Sequence, residues 1–409
     1  MKKPTRPRVV VLGAGFAGLT AAKSLDSFCD VMVVDRHNFQ TFLPLLYQVS
    51  TAGLAADHIA HPIRSALRKT SVQFRMGSPI AIDHKNKTIK LDSSEVLPFD
   101  YLVVALGSVT NDFGIKGVKE HALGMKSMVE ALDIRSSILR HFEDLCRFTE
   151  SSKLSISVVG GGPTGVEMAG AIAELKKGPL TSDFASAAKN IEVNLIEAGE
   201  RVLPTFSPSL SERTKRDLQK LGVRVITHAA VKEVKSDRII FTDGTTRDSH
   251  ITIWAAGVTG EPAAAKLRLP LAKGRIPVLP TLQLENYPYI FAIGDIAAVQ
   301  NAGKFLPMVA PVAMQQGRFM KQQIASSENN QTLKPFVYRD KGSMATIGRH
   351  KAVVEVGPVK LRGTLAWYAW LWLHLFYLLG GRNKIGAIAD WTWNYLTFDR
   401  GNRHIMDIQ

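Results

Sequence analysis

The stretch RVVVLGAGFAGL, residues 8–19, decides the fold of this chain. It has the pattern of an apolar strand that runs into a glycine-rich turn and then into an apolar helix. Gly13 permits the tight turn, Gly15 lets the backbone approach a pyrophosphate, and Gly18 lets the helix pack closely on the strand. Asp35 ends the next predicted strand and is placed to accept hydrogen bonds from a ribose. We therefore expect a nucleotide site, with a purely structural turn as the alternative.

The same sequence pattern is repeated at residues 154–197, with a strand, the turn GGGPTG, a helix and a strand that ends in an acid. Gly160, Gly162 and Gly165 repeat the three glycine roles, and Glu197 takes the place of the ribose-binding carboxylate. A helical insertion is expected at 176–190. Because Glu197 would repel a 2′-phosphate, NADH is expected in preference to NADPH.

Later strands complete each unit. The segments 101–108 and 251–258 are buried strands that end near a glycine, and YIFAIGD at 289–295 delivers Asp295. That carboxylate suits a flavin ribityl hydroxyl, and it can also cap the helix that follows. The sequence thus predicts an α/β protein with two Rossmann-type dinucleotide-binding domains in tandem and a C-terminal helical region. The expected order is an FAD domain over 1–112, an NAD(H) domain over 113–284, a return to the FAD domain over 285–360, and an aromatic membrane-association region over 361–409.

Composition narrows the function classes. The 409 residues carry 51 Lys and Arg against 36 Asp and Glu, a net charge of +15. Solubility, nucleic acid or an anionic membrane surface could each account for this excess, but no nucleic-acid-binding pattern is present, so no nucleic-acid partner is expected. Cys29 and Cys146 are far apart in the sequence and form no CxxC pair, so neither a disulfide framework nor a metal centre is indicated.

The C-terminal stretch Leu365–Leu379 contains one histidine and no charged residue. As a helix it would span roughly 22 Å, which is short of the ~30 Å hydrocarbon core of a bilayer. Its tryptophans and tyrosines suit the headgroup boundary, and the basic excess after Thr332 favours anionic lipid. The alternative is a helix buried against the FAD domain or in a homodimer interface.

The chain resembles the type II NADH dehydrogenases, which are single-subunit, non-proton-pumping NADH:quinone oxidoreductases. The resemblance covers nearly all of the chain. The segments that carry it are GAGFAGL (13–19), FLPLLYQVSTAGL (42–54), HPIR (61–64), GGGPTGVEMAG (160–170), ERVLP (200–204), WAAGV (254–258), GD (294–295), APVAMQQGRF (310–319) and the C-terminal AWYAW, HLFYL, GRNK and WTWNYLTFDRG.

The resemblance assigns residues to each ligand. For FAD they are Gly13, Ala14, Gly15, Gly18, Asp35, Gln48, Gly107, Asp295 and Ala310. For NADH they are Gly160, Gly162, Gly165, Glu197 and Gly257. The quinone side falls on Gln315 and Gln316, and Glu167 matches a family glutamate near the nicotinamide and the quinone tunnel. The segment at 310 often begins Ala-Gln in the family, whereas here it begins Ala310-Pro311.

The chemistry is compatible with these residues. Hydride transfer from nicotinamide to flavin needs two stacked, dry rings and no protein acid or base. Quinone reduction takes up two protons, so Glu167 could relay a proton and the two glutamines could donate hydrogen bonds. The alternatives are a helix-start carboxylate for Glu167, a solvated helix face for Gln315 and Gln316, and core packing near the flavin for Pro44–Tyr47.

The resemblance therefore implies an FAD-dependent, non-electrogenic NADH:quinone oxidoreductase of the respiratory chain. Its expected location is peripheral, on the cytoplasmic side of the cell inner membrane. Two other functions stay open, namely a soluble NADH reductase with a protein acceptor and a flavin-based redox sensor. Sulfide:quinone reductases of similar fold need cysteines near the flavin, which Cys29 and Cys146 do not supply.

Overall fold

The computed structural model describes residues 6–147, 153–301 and 303–406. The helices are α1 Phe16–Leu25, α2 Leu46–Ser50, α3 Ala56–Ile59, α4 Ile63–Leu67, α5 Val118–His121, α6 Met128–Arg147, α7 Pro163–Leu175, α8 Thr181–Asp183, α9 Ala185–Lys189, α10 Pro208–Leu221, α11 Ala263–Lys266, α12 Ala310–Glu328, α13 Thr364–Tyr377 and α14 Gly381–Thr397. Short 3₁₀ turns cover Leu43–Leu45 and Gly294–Ile296, and a π-helical turn covers Lys176–Leu180.

The strands are β1 Arg8–Leu12, β2 Asp30–Asp35, β3 Phe39–Thr41, β4 Ala60–Pro62, β5 Gln73–Met76, β6 Pro79–Asp83, β7 Thr88–Leu91, β8 Val96–Pro98, β9 Tyr101–Val104, β10 Ser108–Thr110, β11 Ala122–Gly124, β12 Leu154–Val159, β13 Ile191–Ile196, β14 Val223–Ile226, β15 Val231–Val234, β16 Arg238–Phe241, β17 Thr246–Asp248, β18 Ile251–Trp254, β19 Val258–Gly260, β20 Ile276–Pro277, β21 Gln283–Leu284, β22 Tyr287–Ala292, β23 Ala297–Ala298, β24 Gln300–Asn301, β25 Lys304–Phe305, β26 Ser343–Gly348, β27 Lys351–Val356 and β28 Val359–Arg362.

The chain forms two compact units. Unit 1 comprises 1–40, 61–109 and 258–341, and unit 2 comprises 41–60, 110–257 and 342–409. These limits differ from the domain limits expected at 112 and 284. The later limit falls at 257 rather than 284 because β20 pairs with β23, which follows β22, and β22 lies parallel to β9 in the unit 1 sheet. The C-terminal segment from Gly342 belongs to unit 2.

Unit 1 is built on a six-stranded sheet in the order β21-β22-β9-β1-β2-β5. Its central strands are parallel, with Val10 opposite Met32 on one side and Leu102 on the other. Strand β1 is buried from Val9 to Leu12, as expected for a strand covered on both faces of a parallel sheet. Helix α12 packs on α1, where a side chain at Gly317 would come within 2.6 Å of the Ala17 carbonyl oxygen.

Unit 2 is built on a five-stranded parallel sheet in the order β11-β18-β12-β13-β14. All six residues of β12 are buried. Helix α7 packs on β26, and Gly170 allows this because an added Cβ would lie 1.9 Å from the Ile347 carbonyl oxygen. The antiparallel sheet β26-β27-β28 supports α13, whose Ala366 and Trp367 pack on Ala352 and Val354.

The expected α/β class with two Rossmann-type sheets and a C-terminal helical region is confirmed. The insertion at 176–190 is helical, as predicted. In the part of the chain that the structure describes, none of the helices has the length and hydropathy needed to cross a bilayer.

Candidate functional site

The first glycine turn lies at the carboxyl end of β1 in unit 1. Gly13 has a φ of +101°, a region that L side chains rarely adopt, and its N–H donates to the Val34 carbonyl at 2.7 Å. A Cβ at Gly18 would lie 1.8 Å from the Gly13 carbonyl oxygen, so α1 starts in direct contact with the turn. A Cβ at Gly15 would meet no atom within 4 Å. The first and third glycines are thus needed by the fold, and the second leaves room for a phosphate beside the backbone.

Asp35 ends β2 and holds this turn in place. One carboxylate oxygen accepts the Ala14 N–H at 2.6 Å, and the other accepts the His37 N–H at 2.8 Å. Each oxygen keeps further lone pairs, so the group can still accept a hydrogen bond from a hydroxyl. Asp35 therefore both shapes the turn and presents the acceptor that a ribose needs.

The second glycine turn, in unit 2, has the same construction. Gly160 has a φ of +113°, and a Cβ at Gly165 would lie 1.8 Å from the Gly160 carbonyl oxygen. A Cβ at Gly162 would again meet nothing within 4 Å. Glu197 accepts the Gly161 N–H at 2.6 Å and the Gly199 N–H at 2.7 Å. The two turns are therefore matched in backbone strain, close helix approach and carboxylate support.

Asp295 lies in the turn after β22, in unit 1. Its carboxylate accepts the Ser108 hydroxyl at 2.5 Å, which connects it to the strand end that carries Gly107. Gly107 has a φ of +78°, and a Cβ there would meet no atom within 4 Å. The two residues predicted to hold FAD on this side are thus brought together.

The glutamines of α12 have different environments. Gln316 is 1% exposed, and its Oε1 accepts the Gly294 N–H at 2.6 Å. Its Nε2 is also buried and has no hydrogen-bond partner among the described residues. Gln315 instead exchanges two hydrogen bonds with the backbone of Arg339, at 2.9 and 3.0 Å. Gln316 therefore has a donor available for a ligand, whereas the amide of Gln315 holds a loop.

Ala310 is the first residue of α12 and is followed by Pro311. Proline suits this position because the first turn of a helix has no internal partner for its N–H. The departure from Ala-Gln at this segment is thus compatible with the start of the helix.

These unit 1 residues fit FAD. Gly15 and Gly107 leave room beside the backbone, Asp35 and Asp295 are anionic acceptors for hydroxyls, and the Nε2 of Gln316 is an orphaned buried donor. A buried donor without a partner costs stability, and a ligand atom that accepts from Nε2 would remove this cost.

Glu167 lies on α7 in unit 2 and is half-buried. One carboxyl oxygen accepts the Thr346 N–H at 3.3 Å and the Trp370 Nε1–H at 3.2 Å. Burial disfavours the charged form and raises the pKa of Glu167 to about 8, although both hydrogen bonds act in the opposite direction. A carboxyl group with this pKa can carry and release a proton near neutral pH.

Trp370 connects Glu167 to a second titratable group. Its ring stacks on His374 with centroids 4.0 Å apart. The Nδ1 of His374 contacts the Trp370 carbonyl at 2.7 Å, and burial lowers the pKa of His374 to about 4. Because a carbonyl only accepts, Nδ1 must carry the proton, and neutral His374 keeps Nε2 as an acceptor.

Gln48 lies on α2 in unit 2 and is 8% exposed. Its Nε2 donates to the Tyr47 hydroxyl at 2.9 Å, and its Oε1 accepts the Trp391 Nε1–H at 2.7 Å. The predicted flavin contact is therefore bonded to α14 of the C-terminal segment, and this bond makes a testable prediction.

We expect Trp391→Phe to lower the free energy of unfolding by about 1–3 kcal/mol, because a buried acceptor on Gln48 loses its donor. Trp393→Phe is the matched control, since Trp393 is 56% exposed. Thermal unfolding of both variants checks the prediction. Equal unfolding midpoints for the two variants would contradict the role given to this hydrogen bond.

A cavity of about 360 Å³ lies within unit 2. Its aromatic wall consists of Tyr47, Trp367, Trp370, Trp391, Tyr395 and Phe398, and its charged residues are Glu174, Lys177, Arg349 and Arg400. Arg400 and Glu174 form an ion pair at 3.4 Å, and the Arg349 guanidinium lies 4.1 Å from the Phe398 ring centre. The volume and the aromatic lining suit a flat organic ligand.

The C-terminal helices leave large apolar side chains exposed. On α13, Leu365, Tyr368, Trp372 and Phe376 recur at helical spacing and are each more than half exposed. On α14, the exposed apolar residues are Ile385, Ile388, Trp393 and Leu396. Large exposed apolar surfaces mark interaction sites. We call these eight residues the apolar face.

The last predicted NADH-binding residue, Gly257, follows β18 in unit 2, and its carbonyl accepts the Asn111 N–H at 3.0 Å. Sequence reasoning missed Trp370, Trp391 and Thr346 as partners of predicted site residues. Both tryptophans stand in motifs that carry the resemblance, but no local pattern in the sequence pairs them with α7 or α2.

Comparison with known proteins agrees with this geometry. The family model described as pyridine nucleotide-disulphide oxidoreductase matches residues 7–317, and the model of the NDH2 C-terminal domain matches residues 341–400. A type II NADH:quinone oxidoreductase of Mycobacterium tuberculosis is 39% identical over 99% of this chain and 92% of its own length. One from Staphylococcus aureus is 30% identical over 88% of this chain and 92% of its own.

Solved structures agree on the fold. The NDH2 structure from Plasmodium falciparum in complex with NADH has a TM-score of 0.87 and 22% identity, covering 98% of this chain and 100% of that one. A sulfide:quinone oxidoreductase from Aquifex aeolicus has a TM-score of 0.75 and 18% identity, covering 95% of each chain.

The two matched glycine turns and their sheets define a flavoprotein of the pyridine nucleotide-disulphide oxidoreductase class. Within that class, the match over nearly the whole chain shows that this protein belongs to the type II NADH:quinone oxidoreductase family.

Proposed function

We propose that this protein is an FAD-dependent NADH:quinone oxidoreductase that passes a hydride from NADH to FAD and two electrons onward to a membrane quinone. The matched pair of glycine turns, each tied to a carboxylate at the end of the next strand, carries this proposal. Two such turns in one chain fit two dinucleotides, and membership of the family identifies them as FAD and NADH.

The residues of unit 1 bind the flavin nucleotide in this proposal. The N-terminus of α1 and the turn at Gly13–Gly18 hold the pyrophosphate, and Asp35 accepts a ribose hydroxyl. Asp295 accepts from the ribityl chain and Gln316 donates through its unpartnered Nε2. When bound, FAD supplies the group that accepts the hydride and then reduces the quinone.

The residues of unit 2 bind NADH. The turn at Gly160–Gly165 holds its pyrophosphate, and Glu197 accepts from the adenosine ribose. A 2′-phosphate on that ribose would face the carboxylate of Glu197, so the proposal includes a preference for NADH over NADPH.

On the acceptor side, Glu167 is the proposed proton carrier for quinone reduction. Its raised pKa of about 8 keeps the carboxyl group protonated at neutral pH, so that it has a proton to give. Trp370 holds this carboxyl through its indole N–H and also lines the aromatic cavity. We infer that the quinone ring enters this cavity. Gln315 and Gln316 are proposed on the acceptor side through the position of their segment alone, since the Nε2 of Gln316 is assigned to FAD.

The proposal places the protein at an anionic membrane surface, on the cytoplasmic side of the inner membrane, with the apolar face against the lipid. Aromatic side chains such as Trp372 and Phe376 suit the headgroup region. Arg382 and Lys384 at the start of α14 add positive charge that attracts anionic lipid.

We expect the double variant Trp372→Ser with Phe376→Ser to bind anionic vesicles at least about tenfold more weakly, because two large apolar groups no longer enter the interface. Phe305→Ser, which alters an exposed phenyl group on β25 of unit 1, is the control. Co-sedimentation with phosphatidylglycerol vesicles measures the effect. If wild-type protein failed to sediment and instead ran as a dimer, the apolar face would be a homodimer interface.

The function is tested by steady-state assay of purified, flavin-loaded protein with NADH and a short-chain quinone. The proposal expects rapid NADH oxidation that requires the quinone. A protein that reduced only a protein acceptor would be the soluble reductase, and one that turned over once and changed its oligomeric state would be the redox sensor. Either result would overturn the proposal.

A further inference from the structure

The turn Asn111–Gly114 holds Phe113 in an unfavourable backbone conformation. Phe113 has a φ of +53°, a region that bulky L residues avoid. Its side chain is also 58% exposed to water, so burial does not offset the strain. Strained residues persist where the surrounding structure enforces them, and they concentrate at functional sites.

The surrounding structure does enforce this conformation. The N–H of Phe113 donates to the Asn111 side chain at 2.9 Å, and the N–H of Gly114 donates to Asp112 at 2.9 Å. Asn111 is itself fixed to the strand end after β18. Its N–H donates to the Gly257 carbonyl at 3.0 Å, and its carbonyl accepts the Trp254 indole N–H at 2.7 Å. Four hydrogen bonds thus fix the backbone of the turn that carries the phenyl ring.

The Phe113 ring lies against the backbone of Gly257. A Cβ on Gly257 would lie 2.9 Å from Cζ of the Phe113 ring, so the ring lies directly on this glycine. Any side chain at 257 would displace it. The glycine and the phenyl ring therefore form one flat apolar surface at the end of β18.

Strand order assigns this surface to one end of NADH. Strand β12 carries the phosphate-binding turn, β13 on one side ends before Glu197, and β18 pairs with β12 on the other side. A nucleotide whose pyrophosphate lies at β12 and whose adenosine ribose lies at Glu197 must extend its other half toward the end of β18. The nicotinamide half thus reaches Gly257 and Phe113.

We propose that Phe113 is a positioning residue for the nicotinamide half of NADH, which it contacts with its ring. This inference rests on the proposed function, since it concerns the same nucleotide. The flat aromatic ring offers an apolar contact to the planar nicotinamide and shields it from water, which favours hydride transfer. The adenosine half of NADH makes no contact with Phe113.

The test uses two substitutions at one position. Phe113→Ala removes the ring, and Phe113→Gly removes the ring together with the backbone strain. We expect both variants to raise KM for NADH about tenfold, the value of one well-packed aromatic contact, with Phe113→Gly as thermostable as wild type or more so. Phe305→Ala is the control for loss of an exposed phenyl group and should leave KM unchanged.

A second readout separates positioning from general damage. ADP-ribose lacks the nicotinamide, so its inhibition constant against NADH should be unchanged in both variants. A wild-type KM in Phe113→Gly, or a weakening of ADP-ribose binding in parallel with NADH, would overturn the inference. Failure of the proposed function would look different, because wild-type protein itself would then not oxidise NADH with quinone.

Discussion

Gly165→Val is expected to reduce NADH oxidation at least ~100-fold and to lower the thermal stability of unit 2. A Cβ at this position would lie 1.8 Å from the Gly160 carbonyl oxygen. That oxygen belongs to the backbone and cannot swing away, so the start of α7 must move off the turn. Overpacking of this kind costs roughly 1–3 kcal/mol or more, and it also disrupts the N–H groups that cradle the phosphate.

Gly162→Val is the matched control, three residues away in the same turn. Because a Cβ there meets no atom within 4 Å, the variant should fold with a wild-type melting midpoint. Its side chain would nevertheless stand where the pyrophosphate approaches, so KM for NADH should rise strongly. Melting curves and steady-state kinetics separate the two variants. Equal midpoints for the two would contradict the close contact described at Gly165.

Glu167→Gln is expected to slow quinone reduction about 100-fold, the size of a lost general acid, and to leave the reduction of FAD by NADH within about twofold of wild type. The amide keeps an oxygen for the hydrogen bonds from Thr346 and Trp370 but has no acidic proton to transfer. Glu200→Gln, at a side chain that is 77% exposed, is the control. A parallel loss in both half-reactions would remove Glu167 from the acceptor side.

The same substitution predicts a change in pH dependence. The folded protein raises the pKa of Glu167 to about 8, above the ordinary value of 4.5. Between those values the native state retains a proton that the unfolded state has lost, so stability falls as pH rises through this window. In Glu167→Gln this fall should be absent. Wild-type quinone reduction should also decline above about pH 8, and a variant with the same pH profile would contradict the assignment.

The sequence was informative wherever a local rule applies. The glycine spacing predicts both turns, because positive φ at Gly13 and Gly160 and close helix approach at Gly18 and Gly165 are local requirements. Asp35 and Glu197 could be predicted as ribose-binding acids because each ends the strand that follows a glycine turn and its helix. The expectation of a helix at Leu365–Leu379 agrees with α13 because its lack of glycine, proline and charge favours one continuous element.

Contacts between residues that are far apart in the chain could not be predicted from the sequence. The segment around Gln48 belongs to unit 2 through its hydrogen bond to Trp391, 343 residues away, and nothing near Gln48 signals such a partner. The unit limits at 109 and 257 depend on which sheet each later strand joins. The polar residues at 326–328 continue α12. Polar composition does not exclude helix when the preceding turns are already formed.

In the candidate site, too, local motifs identify the residues, whereas distant contacts determine their chemical properties. The raised pKa of Glu167 requires burial by α13 and β26, which are distant in sequence, whereas the carboxyl group itself was found from its position in the motif. Gln315 and Gln316 look alike in sequence, yet one bonds a loop backbone and the other has a buried unpartnered donor. Adjacent helix positions point in different directions, and only the structure shows which neighbours they meet.

The most direct measurement of the whole account is anaerobic stopped-flow spectroscopy of the flavin in the purified protein, in two mixing steps. The account predicts that NADH bleaches the visible flavin absorbance completely, and that adding a quinone restores it at a rate consistent with turnover. A flavin that stays oxidised in the presence of NADH, or that is bleached but not restored by any quinone, would contradict it.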